Sequence, residues 1–283
     1  MKPRRGEKKT NRRISLSPNP RIPIITLLTD FGAADYFVGS VKGVILSLHP
    51  QARIVDLTHE IPAQDIEAAA FTLLAAYKSF PKGTVHLAVV DPGVGSTRRG
   101  IAIGAADQFF VGPDNGIFSY IYERESRFSV YELSNRQFFP EPVSPTFHGR
   151  DIFAPVAAAL ANGVKPSELG GLVTDPVQLA SLIPEVGDFR ILARIIHIDR
   201  FGNCVTNITP GVLTQEMIDA GAQLAVKGKK ITSFRSFFAE KAGDRAQLFA
   251  LWGSAGFLEI VAPNRSAAKV LGAHRGDRVV VRS

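Results

Sequence analysis

The chain has 283 residues, 45% of them apolar, which is enough to bury two cores, and no apolar run nears the ~18 residues of a membrane span, which argues against a membrane-spanning protein. Its single cysteine, Cys204, rules out an internal disulfide and reads as a small buried packing residue. The net charge of +7 resides in residues 1–21, where Lys2, Arg4, Arg5, Lys8, Lys9, Arg12, Arg13 and Arg21 face the one acid Glu7; the remainder balances, with 25 basic and 25 acidic residues, which argues against a body built to bind DNA.

Residues 1–22 are polar, end in a Ser17-Pro18-Asn19-Pro20 hinge and lack an apolar stretch like that of a signal peptide. They are expected to be a disordered basic tail on a cytoplasmic protein, able at most to touch nucleic acid weakly. Ile24 to Thr29 predicts a strand ending in Asp30-Phe31-Gly32. Helical spacing of Phe37, Val41, Val44, Ile45 and Leu48 predicts a helix from Tyr36. Arg53 to Leu57 is a second strand, followed by Thr58-His59-Glu60. Asp65 to Phe80 is a second helix, and Thr84 to Val90 a third strand. Short links between alternating strands and helices predict a mostly parallel sheet with flanking helices over residues 23–186.

Gly100 to Gly104, Gln108 to Val111 and Phe128 to Leu133 continue as strands. Asp151 reads as the cap of a helix from Ile152 to Leu160. Pro166 to Val186 is Gly- and Pro-rich and reads as the domain connection. From 187 to 283, short strands without long helices predict a smaller all-β, barrel-like domain. There the clusters Asp199 to Asn203 and Trp252 to Gly256 read as turns, and Phe201 beside Asp199 and Asn203 suits stacking on a flat ring.

Chemistry concentrates after the third strand, in Val89-Val90-Asp91-Pro92-Gly93-Val94-Gly95-Ser96-Thr97-Arg98-Arg99. Pro92 keeps Asp91 out of helical angles at a strand tip, and the glycines allow a sharp turn or close approach to a ligand. In parallel sheets ligands bind outside the carboxyl ends of the strands, where Asp30, Asp56 with His59, and Asp91 all fall. From these residues three readings stay open. One is a metal-dependent hydrolase using Asp30, Asp56, His59 and Asp91, although no compact ligand motif is present. The second is a phosphate-binding loop, which lacks the P-loop ending. The third is a metal-free site in which Asp, Arg and His position a water. No serine occupies a nucleophile-elbow setting.

Four motifs in order, Thr29-Asp30-Phe31-Gly32, Val89 to Gly95, Phe147-His148-Gly149-Arg150-Asp151 and Ile198 to Asn203, resemble the S-adenosyl-L-methionine (SAM) hydroxide adenosyltransferases, adenosine-forming SAM hydrolases related to fluorinase and chlorinase. The resemblance spans the chain from about Ile24 to the C-terminus. It implies an α/β domain, a β-barrel-like domain, and a homotrimer with sites between subunits. The reaction it implies is SAM plus water giving adenosine and L-methionine, with SAM as substrate and with no metal or other cofactor. By motif, Asp91, Arg98 and His148 would handle the water, with Arg98 favoured over Arg99. Asp30 would hold the ribose hydroxyls and Asp199 the methionine ammonium, while Phe201 and Asn203 would meet the adenine. Ser254, Glu259 and Ala262 match the family's remaining ligand contacts. The halogenases carry tyrosine at the Asp91 position and lack the His148 histidine, so the resemblance implies water as nucleophile. The alternatives are a halogenase-like enzyme and a module that binds SAM or adenosine without turnover.

Overall fold

The computed structural model describes residues 23–188, 190–239 and 248–282. The tail assigned to residues 1–22 lies outside them. In the first half, β1 (Ile24–Thr29), β2 (Arg53–Thr58), β3 (Val85–Val89), β4 (Gly100–Ala105), β5 (Gln108–Pro113) and β6 (Phe128–Glu132) form one sheet in the order β2-β1-β3-β5-β4-β6, with β4 alone running against its neighbours. β3 reads as a continuous apolar run because it is covered on both sides. Val85, Leu87 and Val89 face α1 (Phe37–Leu48) and α4 (Ala154–Ala161). Ala88 joins the core under α2 (Ile66–Ala76) and α3 (Ser119–Arg124).

Two local expectations change. Asp151 does not cap a helix at Ile152. It sits inside a π-helical turn, Gly149–Phe153, that runs into α4. Its carboxylate accepts from Ser144 N at 2.8 Å and from Arg150 Nε at 2.6 Å, so tertiary partners claim the oxygens that would have served a cap. The segment after α4 is also more than a connection. Gly171 O accepts from Glu132 N and Val130 O accepts from Val173 N, both at 2.8 Å, laying the chain along β6.

The second half contains β7 (Glu185–Gly187), β8 (Arg190–Ile198), β9 (Cys204–Thr206), β10 (Gln223–Val226), β11 (Lys229–Ile231), β12 (Phe249–Trp252), β13 (Leu258–Val261) and β14 (Arg278–Arg282), with short helices α5 (Gln215–Asp219) and α6 (Ala267–Leu271). Pairing is antiparallel in the order β11-β10-β14-β8-β9-β13-β12, with β7 on β8. Just past β11, Ser233 O accepts from Ala250 N at 2.8 Å and Ala250 O from Arg235 N at 2.9 Å. That bridge ties the free edge of β12 back to the other end of the sheet and makes a nearly closed barrel. Cys204 is buried in its core, where burial pushes the thiol up to about 11. Phe71 of α2 stacks on His197 of β8 at 4.6 Å, joining the two domains. No helix among the described residues is long and apolar enough to cross a membrane.

Candidate active site

The parallel register sets the site. Thr29 of β1 lies opposite Val89 of β3, so Asp30, one residue on, and Asp91, two residues on, both emerge at the carboxyl edge. The Asp91 carboxylate accepts from Arg98 Nε at 2.9 Å and, through its other oxygen, from Arg98 Nη2. The same Nη2 lies 2.8 Å from His148 Nδ1. Guanidinium nitrogens only donate, so Nδ1 is the acceptor and the neutral ring carries its proton on Nε2. Arg98 also lies over the Phe153 ring, 5.2 Å from its centroid. The Arg98 and Asp91 side chains are 11% and 6% exposed, so this fork is largely shielded from water. Burial, then the Arg98 charge, lower the His148 pKa, against Asp91 and Asp151. Arg99 points away, to Asp114 at 2.7 Å and Asp175 at 2.8 Å, so Arg98 is the loop arginine brought to His148.

The loop and the segment bearing His148 meet at Gly95. Its φ is +78°, and a Cβ there would stand 2.3 Å from the Pro145 carbonyl oxygen. Asp151, through Ser144, anchors the same segment from below. Gly95 therefore serves the docking of Pro145, not room for a ligand.

A cavity of about 430 Å³ opens here, lined by Asp30, Asp91, His148 and Gln64 against an apolar wall that includes Phe31, Phe37 and Phe147. Arg98 backs the two residues that face it. Asp30 Oδ2 accepts from the Gln64 backbone N–H at 2.8 Å. No sequence motif announces Gln64, which adopts φ +65°. Phe147 lies within the Phe147 to Asp151 motif, and the periodicity of Phe37 marks only a helix face. Asp56 and His59 fall outside this cavity. Asp56 binds Lys42 at 2.6 Å and lies 3.2 Å from His59 Nε2, while His59 Nδ1 meets Thr29 Oγ1 at 2.8 Å. The four-residue metal set is therefore not assembled, and no cluster of three or more His, Cys, Asp or Glu suited to a metal occurs among the described residues.

The remaining candidates cluster on the barrel. Asp199 Oδ1 accepts from Phe201 N at 2.9 Å and Asn203 N at 2.8 Å, and Oδ2 from Asn203 Nδ2 at 2.9 Å, closing the turn between β8 and β9. Phe201 is left 78% exposed at the tip. Glu259 lies opposite Val205 and Leu251, and burial, then Asp199, raise its pKa. Ser254 is exposed in the β12–β13 turn and Ala262 is buried just past β13. None of Asp199, Phe201, Asn203, Ser254, Glu259 and Ala262 lines the Asp91 cavity. One chain presents two separate sets.

Two family models match the chain. Residues 25–170 match the SAM hydroxide adenosyltransferase N-terminal domain and residues 193–280 its C-terminal domain. A protein of Salinispora tropica named (R)-S-adenosyl-L-methionine hydrolase is 38% identical, with 92% of this chain and 97% of that protein covered. One of the same name from Methanocaldococcus jannaschii is 36% identical over 92% and 96%. An uncharacterized conserved protein from Thermotoga maritima superposes with a TM-score of 0.83 at 34% identity, covering 92% of this chain and all of that one. Fluorinases match at lower identity, 29% for that of Nocardia brasiliensis.

Proposed function

The chain belongs to the SAM hydroxide adenosyltransferase family, and on that premise we propose that it hydrolyses S-adenosyl-L-methionine to adenosine and L-methionine by attack of water on the ribose C5′. The observation that carries the reading is the single Arg98 fork holding Asp91 and His148 at one wall of the cavity. Displacing a thioether from a sulfonium needs no acid for the leaving group; the difficulty is the nucleophile. With His148 Nδ1 occupied by Arg98, the imidazole offers only a donor, Nε2–H, toward the water oxygen. Asp91 is then the base. As oxygen bonds to C5′, the C5′–S pair leaves on sulfur, and one water proton passes to Asp91 and on to solvent. General-base help is worth ~10²–10⁴-fold and alignment more. The Asp30 and Asp91 carboxylates on the cavity wall also suit the binding of a cationic sulfonium substrate.

Water is the nucleophile in this reading because both Asp91 and His148 are present. No metal is assigned, since Asp56 and His59 are committed to Lys42 and Thr29. Asp30 is assigned to the ribose hydroxyls. The barrel set, with Asp199 at the methionine ammonium, Phe201 and Asn203 at the adenine, and Ser254, Glu259 and Ala262 beside them, completes the pocket of a neighbouring copy in a homotrimer. That two sets of one chain line no common cavity supports this arrangement. Purified protein given SAM is expected to release adenosine and methionine in equal amounts, unaffected by EDTA, with label on the adenosine 5′-oxygen in ¹⁸O water. SAM bound but intact after overnight incubation would make the protein a binding module. Activity lost to EDTA and restored by metal would replace the metal-free site.

A further inference from the structure

Asp30 is oriented by a backbone group, the Gln64 N–H. Gln64 holds φ +65°, a conformation that persists in a residue with a side chain only where neighbouring contacts over-determine it. Gln64 O accepts from Ile66 N at 3.1 Å, and the contacts that tie this turn to the rest of the molecule belong to the next residue. Asp65 N bonds Pro62 O at 3.0 Å, and Asp65 Oδ1 accepts from Ala68 N at 2.9 Å, capping α2. Asp65 Oδ2 is held at 2.7 Å by Arg275 Nη1, which comes from the loop before β14, in the other domain. Arg275 Nε also lies 3.4 Å from Glu67 Oε2, and Arg194 of β8 approaches Glu67 Oε1 at 3.5 Å. The barrel thus grips both acids at the start of α2. Arg275 and Asp65 side chains are 34% and 18% exposed, so the pair is partly shielded from water and salt.

We propose that Arg275 is a positioning residue for the substrate cavity: by holding Asp65 it keeps Gln64 in its left-handed conformation, and so keeps the Gln64 N–H on the carboxylate of Asp30. The consequence for turnover rests on the reading of Asp30 as the ribose-binding acid; the mechanical link does not. Arg275 is absent from the cavity wall and acts on it only through this chain of contacts.

The test uses the full chain with Arg275→Ala, Arg275→Lys, Asp30→Ala and the double variant Asp30→Ala/Arg275→Ala. Arg275→Ala is expected to raise the KM for SAM about fivefold with kcat within about twofold, because substrate binding is lost more than chemistry. Arg275→Lys should recover most of that loss. In the Asp30→Ala background, Arg275→Ala should add almost nothing, since both changes break one path. Amide hydrogen exchange at Gln64 should rise in Arg275→Ala, a readout independent of catalysis. A Gln64 amide as protected in Arg275→Ala as in the parent overturns the link, whatever Asp30→Ala does. Equal effects of Arg275→Ala in both backgrounds would also overturn it, showing a contact that acts without Asp30. If Asp30→Ala leaves the KM unchanged while Gln64 exchange rises in Arg275→Ala, the link stands and the ribose assignment of Asp30 falls.

Discussion

At the scale of single residues, His148 is defined by what Arg98 does to it. A guanidinium donating to Nδ1 requires an unprotonated nitrogen there, so protonation sets N–H against N–H and breaks the fork. Burial and the Arg98 charge lower the His148 pKa below the ordinary imidazole value of 6.5. The sign follows. The folded site keeps His148 neutral where the unfolded chain would begin to protonate it. Its contribution to stability is therefore complete above 6.5 and is lost as pH falls through the folded value. Activity should follow the same course: kcat flat at neutral pH and above, with an acid limb whose midpoint lies below 6.5. A pH–rate profile of His148→Asn checks the assignment. The amide can still accept from Arg98 but does not titrate, so the part of the limb that belongs to His148 should vanish while kcat drops about 10²-fold with loss of the Nε2–H donor. A limb that survives in the variant belongs to another group. The three polar residues were legible in sequence because each lies in a compact motif, but the tautomer, and with it the choice of Asp91 as base, depends on a contact 50 positions apart.

At the scale of elements, the site is a joint between the loop after β3 and the segment running into the π-helical turn. Gly95 meets two independent requirements there, a positive φ and the Pro145 carbonyl 2.3 Å from where a Cβ would stand. Gly95→Ala should cost about 1–3 kcal/mol and misplace His148, three residues beyond Pro145. Gly93→Ala is the control. Its Cβ would meet Arg98 Cγ and Ser96 Oγ at 3.4 Å, near ordinary contact, and its φ is not positive. Urea unfolding and kcat measured on the same preparations should separate the two; equal stability of the two variants would remove Gly95 from the joint. α1 is readable because a buried face repeats over several turns, and β1 and β3 because each is a short, largely apolar run buried on both faces and bounded by turn residues. The three-residue strands β7 and β9 and the six-residue α3 contain too little of a period to register. Asp151 was misread for a different reason. A carboxylate before an alanine-rich helix looks like a cap, and only the folded position of Ser144 and the π-turn reveal its other employment.

At the scale of the whole molecule, the decisive fact is that the Asp91 cavity and the Asp199 cluster are two sets on one chain. Sequence motifs could name both sets but not say whether they meet within a chain, because spacing carries no information about which copy faces which. If neighbouring copies complete each other, a site needs Asp91 from one chain and Asp199 from the next. Asp91→Ala alone should lower kcat ~10²–10⁴-fold. Asp199→Asn should also be disabling, since it removes the charge proposed to meet the ammonium while asparagine still accepts the turn's backbone amides. Co-expressed and purified as mixed oligomers, the two defective chains should then regain activity. In a cyclic assembly with random mixing, about a quarter of the interfaces would combine an intact Asp91 half with an intact Asp199 half. Sites built within a single chain would regain nothing, because every chain carries one defect. The mixing experiment thus decides between a site shared across copies and a site closed within one, and it does so from activity alone, without a structure of the assembly.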